Sequence, residues 1–351
     1  MSPNPSKPER VAVVLFNLGG PDGPADVQPF LKNLFSDPAI IRIAPPLRWL
    51  LARLIAVTRT KSAQANYTKM GGGSPLLPET KKQAAALEAK LKAQGVEARC
   101  FIAMRYWKPF TEDVRREVDA WKPDRTVLLP LYPQFSTTTT ESSVKAWSED
   151  PKAVTVCCYP TASEFLASHA KLLIETWEKA GKPANVRCLM SAHGLPETFV
   201  TKDGDPYQWQ VEQTVAALRL LLPAEWEIEI CYQSRVGRLV WLGPPTEESV
   251  AKAAKDGKTI IITPIAFVSE HIETLVELDE DYRHVADAAG ATAYLRVPAL
   301  SVEQHFIGQL AKLVGDALGD SDPSRVRSHC GSRICPADRT ACPNRRVAQT
   351  A

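Results

Sequence analysis

Four carboxylates recur at helical spacing immediately after an apolar run in the second half of the chain. The run TIIITPIA leads into FVSEHIETLVELDEDY, which ends at Tyr282. At about 100° per residue, the acidic side chains would share an arc of about 80° on one face of an α-helix. Such a row can bind cations or pass protons, although a solvated helix face has the same composition. The four residues are Glu270, Glu273, Glu277 and Asp281.

His193 ends another apolar run, MSAH, and is followed closely by Gly194 and Pro196. Because the chain must turn there, we expect the imidazole to face a cleft instead of the core. A neutral imidazole accepts a proton or binds a divalent cation near neutral pH, and a nearby carboxylate raises its basicity. His193 opposite the acidic row would therefore make a site for a cation and for proton transfer. His271 better suits the rim of that site or the start of a helix.

Aromatic residues occur at the ends of several apolar runs. Each of them fits core packing when it is taken alone. Together, and with Arg59 and Arg105 nearby, they describe a wide apolar slot that suits a flat macrocycle with carboxylate arms. The set comprises Tyr106, Trp107, Tyr132, Phe135, Tyr159, Trp241 and Phe267.

The elements that must position these residues follow an alternating pattern of short β-branched runs and longer helical segments. The alternation predicts an α/β fold of two Rossmann-like halves, each with a four-stranded parallel sheet flanked by helices and with a cleft between them. Ligands of such folds bind at the carboxyl ends of the strands. The strand candidates are 10–16, 98–104, 126–131, 153–157, 185–191, 227–232, 259–265 and 291–297.

The same pattern predicts the organisation of the chain. Residues 1–9 would form a flexible N-terminus, 10–152 the first α/β half and 153–300 the second. A C-terminal helix, 301–318, would pack back on the body. Residues 319–351 change to Pro, Arg, Ser and Cys without periodicity and would form an appended tail.

Composition excludes some classes of function. Lysine and arginine number 42 against 40 acids, so the bulk charge gives no reason to expect a nucleic-acid partner. No G-x-G-x-x-G opens a helix and no Walker lysine motif occurs, so no nucleotide cofactor is predicted. Ser191-Ala-His-Gly lacks the G-x-S-x-G elbow of a hydrolase. No pattern predicts an oligomeric state.

The first ten residues contain no apolar signal segment, so a cytoplasmic location is predicted. No apolar run reaches the ~18 residues of a spanning helix. The nearest run, from Ile40 to Val57, is interrupted by Arg42, Arg48 and Arg53. It fits a core-facing helix, the apolar lip of a cleft, or a peripheral contact with the inner face of a membrane.

A set of motifs in a fixed order carries a family resemblance. NLGGP, GGGSPL, RYW-x-P, YPQFSTTTTESS, SAHGLP, GDPY, YQSRVG-x-x-x-WLGP and PIAFVSEHIETLVELDEDY occur between Val11 and Leu318. In this the chain resembles the ferrochelatases, which are lyases of haem biosynthesis. The resemblance implies insertion of ferrous iron into a porphyrin, in the first place protoporphyrin IX, with release of two protons. A chelatase for coproporphyrin or another tetrapyrrole, and a porphyrin-binding iron–sulfur sensor without turnover, stay open as alternatives.

The resemblance also implies site roles by position. His193 matches the cleft histidine and Glu273 the carboxylate that faces it across the porphyrin, and both are expected to bind the substrate iron and to catalyse its insertion. Which of the two binds iron first stays open. Glu277 and Asp281 match an acidic path on a partly π-type helix, and we add Glu270 to that path. The expected porphyrin pocket comprises Leu18, Arg59, Arg105, Tyr106, Tyr132, Trp241 and Phe267.

Three cysteines in the tail, Cys330, Cys335 and Cys342, are separated by four and six residues. This spacing fits either metal ligands or free thiols. An iron–sulfur cluster takes four thiolates, so a fourth would come from the body. Some ferrochelatases hold a [2Fe–2S] cluster with a similar tail, and the resemblance therefore favours one here. Cys158, or alternatively Cys157, is the expected fourth ligand.

Overall fold

The computed structural model describes residues 9–148, 150–235, 237, 239–322 and 325–346. Residues 1–8 of the predicted N-terminal segment and residues 347–351 of the tail lie outside the described residues. The strands, in chain order, are β1 (Val11–Asn17), β2 (Ala98–Met104), β3 (Arg125–Pro130), β4 (Ala153–Cys158), β5 (Val186–His193), β6 (Glu227–Gln233), β7 (Thr259–Pro264), β8 (Tyr294–Arg296) and β9 (Val326–Ser328).

Helices connect and cover these strands. A short 3-10 helix, Pro24–Asp26, precedes the first α-helix, and a π-helix, Glu273–Asp281, follows β7. The α-helices are α1 (Val27–Ser36), α2 (Pro45–Lys69), α3 (Leu76–Ala93), α4 (Thr111–Trp121), α5 (Thr140–Trp147), α6 (Ser163–Lys179), α7 (Glu197–Thr201), α8 (Tyr207–Arg219), α9 (Thr246–Lys255), α10 (Tyr282–Ala288) and α11 (Gln304–Leu318).

The first sheet has the strand order β2-β1-β3-β4-β9, and its neighbouring strands are parallel. β1 is buried along its whole length, as expected for a β-branched strand covered on both faces. The predicted four strands are therefore five. The fifth, β9, comes from the tail, where a strand of three residues is too short to give a sequence pattern.

β4 belongs to this first sheet, because Thr126 of β3 pairs with Ala153 and the register continues along both strands. The predicted boundary between residues 152 and 153 had placed this strand at the start of the second half. The sequence showed a strand there but not which sheet it joins, since sheet membership depends on pairing with distant residues.

The second sheet has four parallel strands in the order β6-β5-β7-β8. Two parallel sheets flanked by helices confirm the predicted α/β class. α11 packs against α3 and α6 through an apolar face, and its buried residues join the largest hydrophobic core. These residues include Phe306, Leu310, Leu313, Val314 and Ala317.

Candidate active site

Loops at the carboxyl ends of strands from both sheets surround a cavity of about 1200 Å³. The topology accounts for this placement, because parallel strands bring their carboxyl ends to one edge of each sheet. His193 is the last residue of β5, and its register partner Gln233 is the last residue of β6. The π-helix follows β7, the other neighbour of β5.

His193 and Glu273 meet inside the cavity. His193 Nδ1 lies 2.8 Å from Glu273 Oε2, and the His193 side chain remains 38% exposed. The Ser234 hydroxyl lies 3.1 Å from Glu273 Oε2 and 2.7 Å from Glu277 Oε2. Gln233 Nε2 donates to the Glu273 carbonyl at 3.0 Å and to Glu277 Oε2 at 3.1 Å. Ser234 therefore contacts both carboxylates, and Gln233 joins the Glu277 carboxylate to the backbone of Glu273.

The charge states of these three groups depend on one another. Burial favours the neutral form of each group. At Glu273, the charge and hydrogen bond of His193 outweigh burial and lower the pKa to about 2. Burial likewise acts to lower the pKa of His193, yet the Glu273 charge and hydrogen bond raise it overall. Burial and the neighbouring Glu273 charge raise the pKa of Glu277 to about 7. Near neutral pH, the site therefore holds one fixed carboxylate and one that titrates.

Glu273, Glu277 and Asp281 line the cavity in one row. They lie on a π-helix, whose i→i+5 hydrogen bonds widen each turn and keep residues four apart close to one face. At the outer end, Lys69 of α2 places Nζ 2.6 Å from Glu280 Oε2 and 3.9 Å from Asp281 Oδ1. A cation from the first half of the chain therefore stands at the outer end of the row.

Glu270 does not join this row, contrary to the sequence expectation. It precedes the π-helix, and its Oε1 lies 2.6 Å from Arg296 Nη1 and accepts the Ala299 N–H at 2.9 Å. The expected helical spacing fails because the helix begins only after His271. That histidine is buried, its Nδ1 lies 3.1 Å from the Ser269 carbonyl oxygen, and burial lowers its pKa.

Five of the seven residues expected in the porphyrin pocket line the cavity: Leu18, Arg59, Tyr132, Trp241 and Phe267. Phe267 also stacks edge-on against His193, with ring centroids 6.2 Å apart. Arg59 projects from α2, whose Leu51 and Ile55 contribute apolar surface to the same cavity.

Arg105 and Tyr106 lie behind the cavity wall and not in it, because both are tied to a buried carboxylate. Asp37 Oδ2 lies 2.7 Å from Arg105 Nη2 and accepts the Tyr106 hydroxyl at 2.8 Å. Asp37 Oδ1 accepts the Ala39 N–H at 2.8 Å. This carboxylate joins the RYW segment to the connection between α1 and α2.

Sequence reasoning missed the roles of Asp37, Gln233 and Ser234. Gln233 and Ser234 had a usable signal, because YQSRVG contains the end of β6 just as SAHGLP contains the end of β5. Asp37 had none, because a single acid between two helices resembles a surface residue and only the folded chain shows it 4% exposed.

A second group of side chains, here named the cysteine corner, comprises Cys157, Cys158, Cys330, Cys335 and Cys342. Cys157 Sγ and Cys158 Sγ lie 3.3 Å apart, and both pack against Phe135. A hydrogen bond from Cys335 lowers the pKa of the Cys342 thiol to about 6, with help from nearby arginines. β9 pairs with β4, and the His329 N–H just before Cys330 donates to the Cys158 carbonyl at 3.0 Å. Within the described residues, no three potential ligands are grouped closely enough to hold a single metal ion.

The family comparison agrees with this geometry. The ferrochelatase family model matches residues 10–318. The chain is similar to the ferrochelatase of Hyphomonas neptunium, at 56% identity over 348 residues that cover 97% of each chain. It is 57% identical to the ferrochelatase of Caulobacter vibrioides over 343 residues, which cover 96% of this chain and 98% of the relative.

Among solved structures, SirB from Bacillus subtilis with Fe3+ superposes with a TM-score of 0.50 at 15% identity, covering 88% of this chain and 95% of the other. At that identity, the likeness concerns the fold alone. The two parallel sheets and the cleft at their strand ends define a protein of the chelatase fold. Within that class, the chain belongs to the ferrochelatase family, because the family match and the two relatives extend over nearly the whole body of the protein.

Proposed function

We propose that this protein is a lyase that inserts ferrous iron into a porphyrin and releases two protons, so that haem is formed. The observation that carries the proposal is the contact of 2.8 Å between His193 and Glu273 at the edge of a cavity large enough for a macrocycle. A passive binding protein has no need of a base held against a carboxylate at that place. Membership of the ferrochelatase family supports the same reaction.

The geometry suggests a separate role in the reaction for each residue of the site. A porphyrin must lose two pyrrolic protons as it accepts a divalent ion. His193 is partly exposed to the cavity and can accept a proton, while Glu273 stays ionised and stabilises the imidazolium that results. The acidic row supplies carboxylate oxygens that suit an incoming cation. Binding in a rigid apolar slot can also strain the planar ring towards the shape that admits the ion.

Protoporphyrin IX is the favoured substrate within this proposal. It has two carboxylate arms, whereas coproporphyrin has four. Among the described residues that line the cavity, the lysine and arginine side chains are Arg59 and Arg235, and most of the remaining surface is apolar. These two described guanidinium groups equal in number the two carboxylates of protoporphyrin IX, which they can bind in charge-assisted hydrogen bonds.

An anaerobic assay tests the reaction. The purified protein is mixed with protoporphyrin IX and Fe(II), and the fluorescence of the free porphyrin is followed. We expect catalytic loss of fluorescence with many turnovers per protein. The same assay with coproporphyrin measures the preference. Binding of both porphyrins without turnover of either in the presence of Fe(II) would contradict the proposal and favour a sensor.

For the cysteine corner, the resident cofactor that fits the side chains is a [2Fe–2S] cluster. The donor set supports it, because Cys335 and Cys342 lie near enough to Cys158 to raise its pKa, and Cys330 follows His329, whose N–H donates to the Cys158 carbonyl. The three tail thiolates and Cys158 would hold the cluster, with Cys157 as the alternative fourth ligand. When bound, such a cluster supplies one-electron redox chemistry and a cross-link between tail and body.

The visible spectrum of protein purified without oxygen tests this part. A brown protein is expected, and C330A should lose its absorbance while C100A, which alters a cysteine of β2, should keep it. Comparing C157A with C158A then identifies the fourth ligand. A colourless wild-type protein, prepared anaerobically with iron present, would contradict the cluster.

A peripheral contact with a membrane belongs to the same proposal, with the chain in the cytoplasm. No helix in the described ranges is long and apolar enough to cross a bilayer. On α2, however, Leu47, Trp49, Leu50, Leu54 and Val57 are more than half exposed beside the cavity. Sedimentation with vesicles of anionic lipid tests the contact, and the double substitution L50D/L54D should abolish it.

A further inference from the structure

The cavity and the cysteine corner share one segment of chain, residues 131–139, here named the wall loop. In the middle of this loop, neighbouring side chains face different sites. Gln134 and Ser136 line the cavity, whereas Phe135 between them packs against Cys157 and Cys158. A displacement on one side of this loop must therefore reach the other side.

Gln210 of α8 connects the wall loop to the tail. It is 0% exposed, and its Oε1 accepts the Phe135 backbone N–H at 2.8 Å. Its Nε2 lies 3.1 Å from Cys335 Sγ. The orientation of the amide follows from chemistry, because a backbone N–H only donates and so requires the oxygen of Gln210, which turns the NH₂ group towards the sulfur. One side chain thus joins a tail cysteine to the cavity wall.

A second contact ties the same two regions. Asp205 is 0% exposed, and its Oδ2 accepts the Ser136 hydroxyl at 2.9 Å and the Thr137 N–H at 2.8 Å. The adjacent Gly204 carbonyl accepts the Ala341 N–H at 3.2 Å. The stretch of tail between Cys335 and Cys342 therefore docks on the residue next to a carboxylate that holds the wall loop.

We infer that Gln210 is a positioning residue that couples the state of Cys335 to the binding of porphyrin in the cavity. A cysteine sulfur that serves as a cluster ligand carries negative charge and accepts a stronger hydrogen bond than a neutral thiol does. A change at Cys335 therefore alters the strength of its hydrogen bond with Gln210. Because Gln210 also accepts the Phe135 N–H, the change alters how firmly the wall loop is positioned. The inference rests on the proposed porphyrin function and adds a connection that the reaction itself does not require.

A double-mutant cycle tests the coupling. The variants are C335A, Q210M and the two combined, and the measurement is the Kd for metal-free protoporphyrin IX, obtained from porphyrin fluorescence. Methionine has nearly the shape of glutamine but makes neither hydrogen bond. Each single variant should weaken binding about three- to ten-fold, because each removes the hydrogen bond between Gln210 and Cys335. The double variant should be no weaker than the weaker single, since both changes cut one connection.

Q213M is the matched control, because Gln213 lies one turn further along α8 and does not line the cavity. It should bind porphyrin as the wild type does. Effects of C335A and Q210M that simply multiply in the double variant would overturn the inference, as would an unchanged Kd in Q210M. A wild-type protein that binds no porphyrin would instead contradict the proposed function, and the coupling with it.

A reciprocal measurement uses chains that keep every cysteine, since C335A can also loosen the tail. Coupling free energy is reciprocal between two equilibria, so bound porphyrin should also change how readily Cys335 leaves its contact with Gln210. We expect bound porphyrin to slow the alkylation of Cys335 by iodoacetamide at least two-fold in the wild type and in Q213M, measured by mass spectrometry. In Q210M the rate should not depend on porphyrin. The same slowing in Q210M would overturn the inference.

Discussion

At the scale of residues, the site depends on an imidazole and a carboxylate that change each other's affinity for protons. Glu273 remains ionised beside His193, and its charge makes His193 a better base than a free histidine. Glu277 is the third member, and burial together with the charge of Glu273 raises the pKa of its carboxyl. Substitution of any one of the three should therefore change the pKa values of the other two.

The substitution H193A should lower kcat by a factor of about 10² to 10⁴, which is the usual contribution of a general base. Porphyrin binding should change little, because Phe267 and the apolar walls remain in place. Steady-state kinetics and porphyrin fluorescence measure the two effects separately. H284A is the control, since His284 is exposed on α10 and does not line the cavity. An H193A protein with normal turnover would refute the assignment.

The substitution E277Q should remove a pH dependence of iron binding. Since the pKa of Glu277 is about 7, its carboxyl is mostly protonated at pH 6 and mostly ionised at pH 8. The KM for Fe(II) of the wild type should therefore fall as pH rises through 7. In E277Q it should stay near the wild-type value at pH 6 throughout. E225Q, at an exposed position before β6, should keep the wild-type profile. A falling KM in E277Q would show that another group is responsible.

At the scale of elements, the acidic row could be predicted from sequence only in part. The spacing of Glu273, Glu277 and Asp281 was sufficient, because residues four apart stay close on an α-helix and on a π-helix alike. The same spacing wrongly added Glu270 to the row, because the pattern does not show where a helix begins. Local periodicity therefore predicts which face carries the acids, while the first residue of the helix is set by contacts such as the Arg296 pair with Glu270.

The element that opposes the row, α2, supports a prediction about iron entry. Lys69 is paired with Glu280 and lies near Asp281, so it neutralises the outer end of the row. The substitution K69M should lower the KM for Fe(II) about two- to three-fold at low salt and leave kcat unchanged, which is the size expected for an exposed pair. The difference should disappear at high salt. K61M, at an exposed position on the same helix, should have no effect. An increase in KM would mean that Lys69 assists entry.

At the scale of the whole molecule, the sequence predicted the class of fold and the edge on which the site lies. Eight strand candidates lie within the two sheets, and SAHGLP and YQSRVG end adjacent strands as a parallel sheet requires. It did not predict that the tail supplies β9. That pairing joins residues more than 160 positions apart, Thr155 with Val326, and such long-range partners leave no local pattern. For the same reason, the sequence did not predict that Arg105 and Tyr106 lie outside the cavity lining, because their positions depend on contacts with the distant Asp37.

The tail leads to the last prediction, because it completes the first sheet. β9 pairs with β4, and Val326 packs against Phe135, Cys157 and Cys158. A chain that ends at Leu318 should therefore unfold at a temperature on the order of 5–10 °C lower, since it loses an edge strand and uncovers apolar surface. V326D in the full chain should reproduce part of the loss, because it places a charge in the same cluster, whereas V302D, at a half-exposed position before α11, should not. Thermal unfolding followed by circular dichroism gives the four melting temperatures. Equal melting temperatures for the truncated and full chains would mean that the tail adds a cysteine site but no stability to the sheet.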